Sequence, residues 1–180
     1  MPPESREEQS HRNKEERLAA LFDSCYPRLV RYAYARLGNA TEAEDVASEV
    51  FVRAFESLDS YRDRGVPMEA WLFTIARNMV IDRYRRSTQV ERVSEDNTAE
   101  PESRDDPARH AEQRILMRDV RKALQHLTPE QREVVTLRFF GGLSSREVAM
   151  VMSKRDGAVR EMQRAAVEKL RVLLGAERLI

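Results

Sequence analysis

The sequence predicts an all-α protein of two small helical domains joined by an acidic, flexible linker. Apolar residues recur at helical spacing through 18–86 and again from about 113 to 174, and no segment alternates with a period of two long enough to suggest a strand. Residues 87–112 contain almost no large apolar side chains and carry a net charge of −5, so they are not expected to order themselves. We therefore divide the chain into a polar N-terminal tail (1–17), a first domain (18–86), the linker and a second domain (113–180). The tail is expected to be loosely ordered but helical near its end, and a helix starting near Ala108 is expected to lead from the linker into the second domain.

Composition and charge narrow the classes of function. The formal net charge of the 180 residues is zero, which argues against a nonspecific coat for nucleic acid, but residues 113–180 carry +6. That local excess is typical of a module that contacts phosphates. The single cysteine, Cys25, excludes an internal disulfide and a cysteine-based zinc cluster and is expected to be a half-buried thiol. No run of about 18 apolar residues and no signal-peptide core are present, so we expect a cytoplasmic protein without membrane insertion.

The first domain is predicted to contain three helices. The first spans about 18–37, with Pro27 as a potential kink, and stops at Gly38. Thr41 is predicted to cap the second helix with Glu44 as its capping-box partner. The apolar stripe of this helix runs from Val46 through Val50, Phe51, Ala54 and Phe55 to Leu58. The charged loop 59–67 separates it from a third helix that extends to about residue 86.

The segment 61–86 interleaves aromatic and arginine side chains: Tyr61, Trp71, Phe73 and Tyr84 with Arg62, Arg64, Arg77, Arg83, Arg85 and Arg86. This combination suits stacking on unpaired bases and tracking of a single-strand backbone. A plainer interpretation puts Trp71 and Phe73 in the core and the arginines on a helix exterior. Asn78 and Asp82 lie four residues apart, near one helix face. Two interpretations are open: they form hydrogen bonds with base edges, or they are ordinary surface residues.

Residues 127–174 have the pattern of a helix-turn-helix. Thr128 is predicted to cap a helix with Gln131 three residues later, and Gly141 with Gly142 ends it. Ser144 caps a short helix, the polar turn 153–155 follows, and Asp156 is a predicted cap for a longer basic helix. In such motifs the second helix of the pair enters the major groove of DNA.

The last helix presents polar candidates for reading bases. Arginine can pair with guanine, glutamine with adenine, and glutamate can accept from cytosine. The outward candidates are Ala158, Arg160, Glu161, Gln163 and Arg164, with Lys154 and Arg155 as phosphate contacts. Use of the same motif only for protein contacts is the alternative.

No catalytic pattern is present. His11, His110 and His126 lack metal-ligand spacing, and neither a glycine-rich phosphate loop nor a nucleophile elbow occurs. The acidic residues within 42–49 are explained by a solvated helix face. We therefore predict no enzyme, no cofactor and no metal site.

Four strings together carry a resemblance to a known family. They are AEDVASEVFVRAF at 43–55, AWLFTIARN at 70–78, LTPEQR at 127–132 and GAVR at 157–160. In this order and spacing they resemble a bacterial sigma factor of the extracytoplasmic-function (ECF) group, which has only regions two and four. The likeness covers about residues 18–86 and 113–174.

The resemblance implies three binding surfaces and no chemistry. The second helix would dock on the clamp coiled coil of the β′ subunit of core RNA polymerase through Asp45, Val46, Ser48, Glu49, Val50 and Arg53. The loop and third helix would capture the melted −10 strand, with one base flipped into a pocket, through Tyr61, Arg62, Arg64, Trp71, Arg77, Asn78, Asp82, Arg83, Arg85 and Arg86. The second domain would meet the β flap and read the −35 duplex through Arg138, Ser144, Lys154, Arg155, Gly157, Ala158, Arg160, Glu161 and Arg164. An anti-sigma factor is a further expected partner.

The chain departs from the family pattern at several positions. Ser48 stands where glutamine is usual, and Ser153 replaces the usual glycine of the turn. Glu161, Met162 and Ala165 make the recognition helix less basic than in relatives, which is expected to alter or weaken the −35 preference. Two other interpretations stay open: a free-standing dimeric helix-turn-helix regulator of transcription, and a helical adaptor that binds only proteins.

Overall fold

All regular structure in the computed structural model, which describes residues 5–91 and 107–177, is helical. The helices are α1 (Arg6–Leu37), α2 (Ala40–Glu56), α3 (Met68–Glu91), α4 (Pro107–Gln125), α5 (Pro129–Val135), α6 (Ser145–Met152) and α7 (Asp156–Glu177). A 3₁₀ turn, Leu58–Ser60, follows α2, and α5 continues into a π-helical turn, Thr136–Phe140. The all-α prediction is confirmed.

Helix α1 begins well before the predicted first domain. Ser5 accepts a hydrogen bond from the backbone of Glu8, whose side chain accepts from the Ser5 N–H in return, which forms a capping box. The helical end expected for the tail therefore extends back to residue 6, and the expected loose order is wrong for that part. Pro27 lies inside the helix without ending it, and Gly38 ends it as predicted because its φ of 73° is a left-handed conformation that glycine adopts without strain.

Helix α2 starts at a different cap from the one predicted. Asn39, not Thr41, accepts the hydrogen bond from the N–H of Glu42. Two side chains also differ in burial from their predictions: Phe55, placed in the inward stripe, is 57% exposed, and Cys25, expected to be half buried, is fully buried. Burial raises the pKa of the Cys25 thiol above its ordinary value, so this cysteine is a core residue.

The helices reach into both ends of the predicted linker. Helix α3 continues past residue 86 to Glu91, and α4 begins at Pro107. The predicted flexibility is therefore wrong for 87–91, whereas the helix expected to start near Ala108 is confirmed and begins one residue earlier. The remaining part of the linker, 92–106, lies outside the described residues.

Two of the three predicted caps of the helix-turn-helix are confirmed, since Thr128 with Gln131 and Ser144 with Glu147 form capping boxes. Asp156, predicted to cap the last helix, is instead the first residue of α7. Ser153, which stands in place of the usual glycine, holds φ at 53° in the left-handed region. The substituted turn therefore keeps the conformation that glycine would favour.

The two domains pack against each other around one apolar cluster. The first domain contributes Leu29, Tyr32 and Phe73 to it, and the second contributes, among others, Val134, Leu137, Leu143 and Val148. Gly141 permits a close approach, because a Cβ atom there would lie 2.8 Å from a ring carbon of Phe73. Nothing in the hydrophobic pattern of the sequence predicts this contact between domains.

A buried carboxylate, that of Glu133, lies at the centre of the domain contact. Glu133 on α5 is only 3% exposed. Its Oε1 accepts a hydrogen bond from the hydroxyl of Tyr32 at 2.6 Å, and its Oε2 accepts from Nη1 of Arg36 at 2.7 Å. Nε of Arg77 lies 3.8 Å from the same Oε2. Burial, followed by the charge of Glu133, raises the pKa of Tyr32 well above its ordinary value, which keeps the phenol protonated as a donor.

A second set of contacts closes the edge of this interface. Arg28 on α1 donates Nε to the carbonyl of Gly141 at 2.7 Å and Nη2 to the carbonyl of Gly142 at 3.0 Å. Its Nη1 also pairs with Glu69 of α3 at 2.5 Å. The guanidinium group of Arg28 thus links α1 and α3 to the end of the π-helical turn.

Substitution of Arg36 by methionine is expected to lower the free energy of unfolding by about 3 kcal/mol, because a buried carboxylate loses its closest cation. Urea denaturation followed by circular dichroism measures the loss. The triple variant Arg36→Met, Glu133→Leu, Tyr32→Phe is expected to recover most of it, since neither the carboxylate nor the hydroxyl that donates to it then stays buried without a partner. Arg31→Met, at an exposed position of the same helix, is the matched control. A loss no larger than the control's would show that Glu133 does not depend on Arg36.

Candidate functional site

The exposed side of α2 combines acidic and polar groups. Asp45 and Ser48 are exposed, and Glu49 is half buried between two arginines, at 2.5 Å from Nη2 of Arg53 and 3.1 Å from Nη2 of Arg83. Burial opposes ionisation of Glu49, but the hydrogen bonds and charges of Arg53 and Arg83 outweigh it and lower its pKa below the ordinary value. Val46 and Val50, assigned by resemblance to the same surface, are fully buried and position α2 against its neighbours.

Large apolar side chains are exposed near these polar groups. Val52 is 56% and Phe55 57% exposed on α2, and Phe22 on α1 is 45% exposed, with its ring centroid 4.8 Å from that of Phe51. A surface that mixes exposed aromatic groups with carboxylates is suited to a protein partner and poorly suited to phosphates.

The loop between α2 and α3, residues 57–67, is organised around Tyr61. This side chain is 3% exposed, its hydroxyl donates to the carbonyl of Val66 at 2.9 Å, and its ring centroid lies 5.0 Å from that of Trp71. Tyr61 therefore faces the interior of the loop, and a stacking contact with a base requires the loop to change conformation. Arg62 donates to the carbonyl of Asp59, whereas Arg64 is exposed at the surface of the loop.

Helix α3 presents one polar face to solvent. Asn78, Asp82, Arg85 and Arg86 are exposed along its second half. The predicted arginines do not all belong to this face. Arg77 turns toward Glu133, and Arg83 turns toward Glu49. The face can therefore offer an amide, a carboxylate and two guanidinium groups to bases and phosphates.

The recognition helix α7 exposes the predicted residues except Gln163, which is half buried. Gly157, Ala158, Arg160, Glu161 and Arg164 are exposed, while Val159 and Ala166 on the opposite side are fully buried. Two ion pairs run along the exposed face: Arg160 with Asp156 and Arg164 with Glu161, each at 2.7 Å. The hydrogen bond between the second pair lowers the pKa of Glu161 and raises that of Arg164. Such exposed pairs are weak and exchange readily for a partner.

Three other predicted −35 residues hold the motif together. Nε of Arg138 donates to Oε1 of Gln163 at 2.8 Å, and its Nη1 donates to the carbonyl of Leu143. Lys154 pairs with Glu130 at 2.6 Å, and Ser144 caps α6. Arg155 is exposed in the turn.

Sequence reasoning missed two residues beside the exposed face of α7. Ser145 and Arg171 line the same groove as Arg138, Arg160 and Arg164. Arg171 follows Arg164 by two helical turns, so helical spacing alone could have placed it on that face. Ser145 carries no comparable signal, because only the crossing of α6 and α7 brings it there.

The N-terminal end of α1 contacts the loop 57–67. Nδ1 of His11 lies 2.7 Å from Oδ1 of Asp59, and its Nε2 lies 3.2 Å from Oε1 of Glu15. The hydrogen bond to Asp59 is the main cause that raises the pKa of His11 above its ordinary value. Sequence reasoning treated His11 only as part of a polar tail.

Two family models match the chain: Sigma-70 region 2 over residues 21–90 and Sigma-70 region 4 over residues 117–170. The chain belongs to the ECF sigma factors. Among its relatives, the ECF sigma factor SigL of Mycobacterium tuberculosis is 37% identical over 160 residues, which are 87% of this chain and 88% of SigL. BldN of Streptomyces coelicolor is also 37% identical, over 159 residues that are 86% of this chain but 59% of BldN.

Solved structures agree with this assignment. CnrH, in complex with the cytosolic domain of CnrY, is similar with a TM-score of 0.69 and 26% identity over 93% of this sigma factor and 94% of that chain. RpoE of Bartonella quintana, in complex with the anti-sigma factor NepR, shares the fold with a TM-score of 0.62 at 24% identity, over 89% of this chain and 96% of RpoE. The ECF assignment predicted from the four strings is therefore confirmed, and neither the dimeric regulator nor the protein-only adaptor is favoured.

Two further observations concern where the region 2 match begins and whether the helices could cross a membrane. The region 2 match starts at residue 21, so the first four turns of α1 lie outside it, whereas the loop 57–67 lies inside. Across residues 5–91 and 107–177, the helices are too short or too polar to cross a membrane.

The imidazole of His11 is expected to titrate above its ordinary pKa of 6.5 in the folded sigma factor. A raised pKa means that the pairing stabilises the fold fully below pH 6.5 and stops doing so as the pH rises through the raised value. An NMR titration of the His11 ring measures this, and Asp59→Asn should shift the midpoint down. Asp23→Asn, at an exposed position of α1, is the control. An unchanged midpoint in Asp59→Asn would contradict the contact.

Proposed function

We propose that this sigma factor directs core RNA polymerase to a two-part promoter through three separate surfaces and acts by binding, with no chemistry of its own. The observation that carries the proposal is the exposed polar face of α7 on an intact helix-turn-helix, joined in one chain to the exposed polar face of α3. The proposed site of action is the cytoplasm, where polymerase and promoters meet.

The α2 surface is the proposed contact with the β′ clamp coiled coil. Asp45 and Ser48 are exposed there, and Glu49 is held ionised between Arg53 and Arg83. The exposed ring of Phe55 adds apolar area that a protein partner can bury. Asp45 is the proposed hydrogen-bond acceptor of this surface.

The loop 57–67 and the face of α3 are the proposed −10 site. Arg85 and Arg86 can follow the phosphates of a single strand, and Asn78 and Asp82 can bond the edges of unpaired bases. Extrusion of one base costs a few kcal/mol, and less once the duplex has melted. Binding of the melted strand therefore favours the open duplex without any catalytic group.

Helix α7 is the proposed reader of the −35 duplex. Arg160 can pair bidentately with guanine, Glu161 can accept from cytosine, and Arg164 can serve either a base or a phosphate. The second domain is also the proposed contact for the β flap of the polymerase.

Promoter reading requires the two domains to separate. Elements at −35 and −10 lie about 25 base pairs apart, which is roughly 85 Å of B-form DNA. A compact chain of this length has a radius of gyration of about 16 Å. We infer that the contacts of Glu133 and Arg28 break when polymerase and promoter bind.

An anti-sigma factor that keeps the domains together is a proposed regulator, supported by the similarity to CnrH, which was solved with CnrY.

Mixing the purified chain with core polymerase and a promoter library should yield promoter-specific run-off transcripts. Asp45→Ala is expected to weaken the binding of core polymerase about tenfold through loss of a hydrogen bond to a charged group. Fluorescence anisotropy measures the affinity, and Asp23→Ala is the matched control. Failure of the unmodified chain to bind core polymerase would sink the proposal, and tight duplex binding without polymerase would favour a free-standing regulator.

Substitution of Arg160 by alanine is expected to lose about 1–3 kcal/mol of discrimination at one position of the −35 element. Competition between promoters that differ at single −35 base pairs measures it. Lys169→Ala, at an exposed position of the same helix, should weaken all promoters alike or none. Unchanged base choice in Arg160→Ala would contradict the assignment of the groove-facing side.

A further inference from the structure

The first three turns of α1, residues 6–17, lie outside the region 2 match and contact the loop 57–67, part of the proposed −10 site. We call these residues the N-terminal extension. Its contacts come from one helical face, since His11, Lys14 and Arg17 are spaced by three residues. The partners of all three lie between residues 58 and 63, in the first half of the loop.

Four contacts join the extension to the loop. His11 lies 2.7 Å from Asp59, and Nζ of Lys14 donates to the carbonyl of Leu58 at 3.4 Å. Arg17 donates from Nη1 to Oδ2 of Asp63 at 3.0 Å, and its guanidinium carbon lies 5.8 Å from the centroid of the Tyr61 ring. The extension therefore contacts the backbone, the two aspartates and the central aromatic ring of the loop.

The contact with Tyr61 reaches the rest of the loop. The Tyr61 ring packs between Arg17 and Trp71, and its hydroxyl bonds the carbonyl of Val66 on the far side of the loop. Arg17 is therefore connected, through the Tyr61 ring, to both halves of the loop.

The contacts also change the charge of the loop. Asp59 and Asp63 are 86% and 60% exposed, and unpaired carboxylates there would repel the phosphates of a bound strand. Pairing with Arg17 offsets the charge of Asp63, and His11 offsets that of Asp59 when its imidazole is protonated. Exposed ion pairs contribute little to global stability, so the effect of the extension falls on the conformation and charge of the loop.

We propose that the N-terminal extension is a positioning element for the −10 loop, and that Arg17, with His11 and Lys14, helps to determine which bases the loop accepts. These residues act through Asp59, Tyr61 and Asp63 and do not themselves touch DNA. The inference rests on the proposed function, because it assumes that the loop 57–67 receives the −10 strand.

The test uses the full chain with core polymerase and two run-off libraries, one randomised at the −10 element and one at the −35 element. Arg17→Asp places a carboxylate beside Asp63 and is expected to change the ranking of −10 bases by about fivefold, the ratio that corresponds to one exposed ion pair. The −35 ranking and the affinity for core polymerase should not change. The charge swap Arg17→Asp, Asp63→Arg should restore the original ranking, and Arg31→Asp, on the same helix, is the matched control.

The outcomes separate this inference from a purely structural role and from the proposed function. An equal loss on every −10 sequence, or a changed melting temperature with an unchanged base ranking, would overturn the inference. An altered −10 ranking that the charge swap does not restore would also overturn it, because the effect would not pass through Asp63. Failure of the unmodified chain to support run-off transcription would instead reject the proposed function.

Discussion

The carboxylate of Glu133 constrains how the two domains sit together. A charge buried from water is stable only with hydrogen-bonding partners, and here the close partners, Tyr32 and Arg36, both come from the other domain. If α5 moved away from α1, the Glu133 carboxylate would either become exposed to water or stay buried without its hydrogen-bond partners. The same placement brings Gly141 against Phe73 and lets Arg28 donate to the carbonyls of Gly141 and Gly142.

Two of the proposed binding surfaces, those on α2 and α7, share one electrostatic property. Guanidinium groups on them are already paired within the chain: Arg53 with Glu49 on α2, and Arg164 with Glu161 on α7. Because these pairs are exposed, a polymerase carboxylate or a DNA phosphate can replace the internal partner at little cost. Binding is then an exchange of partners, which favours selectivity over raw affinity.

Local chemistry made much of the fold predictable. The caps at Thr128 and Ser144 depend on residues within one turn, so the sequence was sufficient to locate the helix-turn-helix and the exposed face of α7. Asn39 caps α2 in place of Thr41. Both residue types can cap a helix and the two lie close together, so the direction in which the chain enters the helix decides between them. The partners of Glu133 lie about a hundred residues away, and Tyr61 lies among arginines but faces inward. Periodicity carries no signal for either contact.

The shared apolar cluster has a consequence for the molecule before it meets polymerase. Separation of the domains uncovers Phe73, Leu137, Leu143 and Val148, and each large apolar side chain returned to water costs about 1.5–3 kcal/mol. The separated domains would also expose an apolar surface of the kind that drives nonspecific association. Each domain thus acts as the chaperone of the other. In the closed form, each of these apolar surfaces is covered by the other domain.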